Sequence, residues 1–244
     1  MKKKIERWYS PNLGKDMPIV RYGEFGIPVL FFPTAAADFL EYERFKLMDA
    51  IAPLIDSGVC TAFSIDSINN DAWLNKKIHP GERAWKQVLY DRYIRDEVVP
   101  YIWHECRTEG LPIVATGASF GAFHALNETL KHPDVFGGVI AMSGVYDIRD
   151  SCEGFHDDNV YFNNPVEYVP NLSDARLLDE LRRCRITIVA GQGSYEDPNA
   201  SKLMAGLLEA KGIPVNLDLW GHDVAHDWPW WNKMLNHYIP LYAR

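Results

Sequence analysis

The stretch "VATGASFGAFHAL", residues 114–126, decides how this chain is read. Small and β-branched residues up to Thr116 have the pattern of a buried strand, and an apolar run from Phe120 has helical spacing. Between them Ser119 sits with Gly117 and Gly121 two residues away on either side. A serine lifted onto a sharp strand-to-helix turn needs small residues at those two positions, because the backbone passes too close for a β-carbon. Such a serine is a candidate nucleophile; the plainer alternative is a turn serine between two glycines. The bare G-x-S-x-G pattern arises by chance in roughly 8% of chains of this length. Its weight therefore comes from its place in the chain.

Working outward, that place is one of regular alternation. Strand patterns at 17–23, 27–33, 59–65, 112–117, 136–144, 185–191 and 214–220 are separated by helical patterns at 41–55, 79–106, 120–132 and 199–212. A last helix begins near Pro229, and the long 79–106 helix is expected to kink or end near Pro100. Continuous apolar strands alternating with amphipathic helices predict an α/β fold, a mostly parallel central sheet with helices on both faces. With no Pro/Ser-rich linker and no repeat, residues 1–244 read as a single domain.

The segment 144–172, "GVYDIRDSCEGFHDDNVYFNNPVEYVPNL", breaks the rhythm. It is long, polar and aromatic, which predicts an ordered, cap-like insertion at about 145–172 forming part of a pocket. Its Tyr161 and Phe162 are candidate substrate contacts.

Composition narrows the partners. The net charge is −8 with no basic stripe, which argues against nucleic acid and anionic membrane surfaces. No window approaches the length of an apolar span, and the basic start "MKKKIERWYSPNLG" lacks the apolar stretch of a signal peptide. Cys60, Cys106, Cys152 and Cys184 form no C-x-x-C pair and read as reduced thiols of a cytoplasmic protein.

A nucleophilic serine needs a base and an acid, each after a later strand. "LWGHDVAHDWPWW" (219–231) offers His222 and His226, and "QGSYEDPNAS" (192–201) offers Glu196 and Asp197 as adjacent acids. Whichever acid is not used becomes a loop carboxylate or a helix cap. Asp147 is a third, weaker candidate.

At these residues the chain resembles the esterase family of α/β hydrolases, with S-formylglutathione hydrolases, enterobactin-type esterases, feruloyl and acetylxylan esterases and mycolyltransferases. "GASFG" resembles the family's nucleophile turn, and "HDWPWW" its histidine–tryptophan signature at His226, Asp227, Trp228 and Trp231. The resemblance implies an α/β-hydrolase fold and favours His226 as base. It also favours Glu196 as acid, through the G-x-G-x-x-E run that ends there. Trp228, Trp230 and Trp231 read first as core or histidine-supporting residues, with Trp228 kept as a candidate substrate contact.

There is one departure. Such esterases carry an apolar run followed by His-Gly or Asp-Gly after the third strand, where this chain has "FFPTAAAD". Pro33 cannot donate a hydrogen bond, so the expected oxyanion donors are the N–H groups of Phe120 and Ala35. The expectation is a serine esterase acting through a Ser119–His226–Glu196 triad on a small ester, with no metal and no cofactor. The rivals are an acyltransferase with the same triad, a binding protein that kept only the fold, and a metal site at His222, Asp223, His226 and Asp227.

Overall fold

The structure, a computed structural model, describes residues 1–243. Eight strands form one sheet: β1 (Lys3–Ser10), β2 (Lys15–Tyr22), β3 (Ile27–Phe32), β4 (Cys60–Ile65), β5 (Ile113–Ala118), β6 (Phe136–Met142), β7 (Arg185–Ala190) and β8 (Val215–Leu219). Their order is β1-β2-β4-β3-β5-β6-β7-β8. β2 runs antiparallel to both β1 and β4, and every pairing from β4 to β8 is parallel.

Side chains alternate between two cores, as the period of two in a strand requires. Leu30 and Phe32 of β3, Ile113 and Ala115 of β5 and Ile186 and Ile188 of β7 pack against the helices Pro80–Tyr93, Phe120–Lys131 and Pro198–Ala210. Val29 and Phe31, Val114 and Ala118, and Val189 face the opposite side, against the helices Leu47–Asp56 and Trp228–Tyr242. Both faces are therefore covered, and the loops at the carboxyl ends of β3, β5, β6, β7 and β8 remain to build a site.

The structure breaks one expected helix in two and adds elements that the sequence patterns did not announce. The basic N-terminus is a strand, β1, paired with β2. The 41–55 helix is two pieces, Glu41–Arg44 and Leu47–Asp56, because Lys46 adopts a left-handed backbone (φ 65°) that no regular helix contains. The irregularity expected near Pro100 takes the form of a π-helical stretch, Ile94–Val98, that ends two residues before it. Tyr93, Val98 and Val99 all keep right-handed helical backbone, so the chain runs through the π stretch into Val99–Cys106 without a break. A further helix, Ala175–Leu181, starts at Asp174, whose carboxylate accepts the Leu177 N–H.

The 145–172 segment folds into short helices at Arg149–Cys152, Asp158–Tyr161 and Pro165–Tyr168. Ile148, Cys152 and Val160 bury against Trp73, Phe120 and Phe123. The buried Arg83 guanidinium reaches across to the Ser151 carbonyl and the Glu153 carboxylate, both within 3 Å. No helix among the described residues is long and apolar enough to cross a membrane.

Candidate active site

Ser119 occupies φ 56°, ψ −120°, a conformation that L-residues rarely tolerate, immediately before the helix Phe120–Lys131. The two glycines make it possible. A β-carbon on Gly117 would lie 2.4 Å from the backbone of Gly121, and one on Gly121 would lie 2.2 Å from the Phe32 carbonyl oxygen. The turn is held by the Ser119 N–H donating to the Met142 carbonyl (2.9 Å) and the Ser119 carbonyl accepting the Ala122 N–H (3.1 Å).

His226 lies in the loop after β8 and Glu196 in the loop after β7. His226 Nδ1 faces Glu196 Oε2 at 3.4 Å, and the Glu196 side chain is excluded from solvent. Its other oxygen accepts the Ser143 hydroxyl at 2.6 Å and the Gly191 N–H at 3.2 Å. Burial alone would raise the Glu196 pKa; the bonds from His226, Ser143 and Gly191 outweigh it and hold the carboxyl below its ordinary value. The imidazole is fixed a second time, by the edge of Trp231 (centroids 5.0 Å apart, planes at 85°). Its main-chain N–H donates to the Ser194 carbonyl at 3.0 Å.

Ser119 and His226 line one pocket of about 400 Å³, together with Tyr146, Asp147, Tyr195 and Asp197. Asp197 is engaged elsewhere. It caps the helix Pro198–Ala210 by accepting the N–H groups of Asn199 and Ala200. Asp147 accepts from the Arg149 guanidinium and from Asn164. His222 is exposed in a turn, and the 222–227 segment is not helical, so the four residues of the metal reading do not share a helix face. The described residues bring one potential ligand group together, Asp91, Glu128 and His132, and none of its members lines this pocket.

The amides of Phe120 and Ala35 have no acceptor among the described residues, and both residues belong to the same small apolar cluster. Thr34 differs: its N–H and hydroxyl both donate to Glu41. The candidate substrate contacts fare less well. Tyr161 packs against the main core and accepts a hydrogen bond from Asn171, Phe162 points to solvent, and Trp228 stacks on Phe45 at 4.5 Å. None of the three lines the pocket, which the insertion reaches only through Val145–Asp147 and Asp150.

Three residues at the site escaped the sequence reading. Ser143 follows β6 without any motif, Tyr195 is an exposed aromatic (95%) at φ 63°, and Glu41 is a buried acid behind the β3 exit loop that no pattern in the sequence marks.

In sequence, the Esterase family model matches residues 42–241. No curated protein matches the chain in sequence. Among solved structures, a ferulic acid esterase superposes with TM-score 0.76 at 21% identity, covering 100% of this chain and 98% of that one. The S-formylglutathione hydrolase of Agrobacterium tumefaciens follows the same course with TM-score 0.72 and 16% identity over 99% and 95% of the two chains. So does the fluorophosphonate-binding serine hydrolase F of Staphylococcus aureus, with TM-score 0.69 and 15% identity over 100% and 98%. At these identities the superpositions carry the fold, which is that of the α/β hydrolases.

Proposed function

The chain belongs to the Esterase family and is a carboxylic ester hydrolase, and on that premise we propose that it works through an acyl-enzyme formed on Ser119. The observation that carries this reading is that a backbone-strained serine and an imidazole backed by a buried carboxylate line the same pocket. In the proposed sequence Ser119 Oγ attacks the ester carbonyl while His226 Nε2 takes its proton. Glu196 keeps Nδ1 protonated and stabilises the imidazolium. The oxyanion is held by the N–H groups of Phe120 and Ala35. The imidazolium then protonates the departing alkoxide, and water, deprotonated by the same nitrogen, releases the acid.

The site implies a small ester whose acyl or alcohol part meets Tyr146 and Tyr195. The four cysteines are free, three of them buried, which supports the cytoplasm as its location.

Hydrolysis of p-nitrophenyl acetate and butyrate, with fluorophosphonate labelling, tests the reading on wild type and Ser119→Ala. Wild type should label at Ser119 and turn over in the presence of chelator. Ser119→Ala should lose the label and about 10⁴-fold or more in kcat. Undiminished turnover by a folded Ser119→Ala protein overturns the reading.

A further inference from the structure

Strand β3 delivers its exit loop against the turn at Ser119, where a β-carbon on Gly121 would meet the Phe32 and Pro33 carbonyl oxygens and Ala35 packs in one cluster with Phe120, but without the usual donor-bearing pair. Pro33 has no N–H, and the first N–H beyond it, that of Thr34, is bonded to Glu41 Oε2 at 2.8 Å. The Thr34 hydroxyl donates to the other oxygen, Oε1, at 2.5 Å. One carboxylate thus takes both donors of one residue, and the next amide, Ala35, is the first left free.

Glu41 is an expensive choice for this task. It is 5% exposed, and no lysine, arginine or histidine pairs with it among the described residues. The nearest cation, Arg44, is bonded to Asp38 instead. Burial raises the Glu41 pKa, opposed only in part by the two bonds from Thr34. An apolar residue in the same place would be cheaper to bury.

The neighbour of Glu41 extends the same grip. Tyr42, fully buried, donates its hydroxyl to the Phe32 carbonyl at 2.7 Å and accepts the Ala118 N–H at 3.3 Å. It therefore ties the last residue of β3 to the residue before the nucleophile. Two consecutive side chains hold the β3 exit and the β5 exit in one register.

We propose that Glu41 is a positioning residue, whose clamp on Thr34 sets the β3 exit loop so that the Ala35 N–H completes the oxyanion hole begun by Phe120. The inference rests on the esterase reading above and deepens it. It accounts for the Pro33-Thr34 departure: the donor pair is displaced by one residue, and a buried carboxylate replaces the conformational control that the usual sequence supplies.

An oxyanion donor acts in the transition state and not in the substrate complex, so misplacing it lowers kcat and spares KM. The test is steady-state kinetics with p-nitrophenyl butyrate on wild type, Glu41→Ala, Glu41→Gln and Thr34→Val, with folding checked by thermal melts. Glu41→Ala should lose about 10- to 100-fold in kcat with KM changed less than about threefold. Glu41→Gln should recover most of it, since its oxygen still accepts the Thr34 N–H and its amide can donate to the Thr34 hydroxyl. Thr34→Val keeps the N–H bond, loses the hydroxyl bond, and should fall between. If Glu41→Ala does not fold, Thr34→Val and Glu41→Gln decide alone. A folded Glu41→Ala with wild-type kcat overturns the proposal, as does a Thr34→Val protein with unaltered kcat, or a loss in KM alone. If wild type neither labels nor turns over, the esterase reading itself falls and takes the proposal with it.

Discussion

Ser143 Oγ donates to Glu196 Oε1 at 2.6 Å and accepts the Trp231 indole N–H at 3.0 Å. The hydroxyl joins the candidate acid to the helix that follows the candidate base. Its own backbone is constrained to match, with φ 49° and its N–H donating to the Val189 carbonyl at 2.7 Å. Glu196 stands on a loop whose preceding residue, Tyr195, is almost wholly in water. Without Ser143 that carboxylate would lose its shortest tether.

Ser143→Ala should therefore cost stability and activity together. Glu196 has a depressed folded pKa, so its contribution is present above the unfolded value and is lost as pH falls through the folded one. Deleting Ser143 Oγ removes part of what depresses it and strands the buried Trp231 N–H. The variant should be about 1–2 kcal/mol less stable at pH 7, with the gap narrowing toward pH 3. Ester hydrolysis should fall about tenfold in kcat/KM. Urea titrations at the two pH values check the first claim, and a gap that widens in acid contradicts it.

The two adjacent acids should separate cleanly. Asp197 holds two amides at the start of a thirteen-residue helix, so Asp197→Ala should cost about 1 kcal/mol in stability and leave kcat within about threefold of wild type. Glu196→Ala should lose about 10²- to 10⁴-fold in kcat at a modest cost in stability. Kinetics and melts on both variants give the answer, and the reverse pattern would move the acid role to Asp197.

These roles differ in how far the sequence exposes them. The turn at Ser119 was legible because its glycines answer a steric demand confined to five consecutive residues. The alternation of β3 to β8 was legible because both faces of a covered sheet are apolar. Strand β1 was not. Its inward residues include Lys4, Trp8 and Ser10, which bond to Glu105 and Glu97 on the facing helix, while Ile5 and Tyr9 point outward. Binary patterning reads such a strand as noise. Ser143 and Glu41 were hidden for another reason: a lone polar residue declares nothing until its partner, 53 residues away for Ser143, is folded beside it. Tyr161 and Phe162 were chosen for their aromatic surface alone, and the insertion spends the one on the core and leaves the other at the surface.

Gly121→Ala should be among the more damaging single methyls in the chain. Its β-carbon would meet the Phe32 carbonyl oxygen at 2.2 Å, and Tyr42 already holds that oxygen in place. Neither the β3 end nor the helix start can withdraw without opening the turn at Ser119. A loss of about 2–4 kcal/mol, or failure to accumulate folded protein, is expected. Gly206→Ala is the control, since nothing lies within 4 Å of an added β-carbon there and alanine favours the helix. Denaturant midpoints of the two variants check this, and equal midpoints would mean that the turn is not the steric bottleneck described.

Glu128 offers a gain instead of a loss. Its side chain is fully buried on the helix that begins after Ser119, and neither oxygen has a hydrogen-bond donor among the described residues. Burial and the Asp91 carboxylate beside it push its pKa well up, only partly offset by Lys131. Asp91 is held low despite its own burial, by His132 Nε2 at 2.7 Å and Lys131 Nζ at 3.2 Å. The buried hydroxyls of Tyr90 and Tyr168 donate elsewhere, to the Asp66 carbonyl and to Asn127 Oδ1, and burial keeps both neutral. Glu128 therefore carries the proton of the pair. A group with a raised folded pKa stabilises fully below its unfolded pKa and loses that contribution as pH rises toward the folded value. Glu128→Gln keeps the shape, needs no proton, and can donate its amide to Asp91. Relative to wild type it should be near neutral at pH 4 and more stable by at least about 1 kcal/mol at pH 8. Urea unfolding at both pH values measures the difference, and a glutamine variant that is less stable at pH 8 than at pH 4, relative to wild type, would show that Glu128 is ionised in the folded protein.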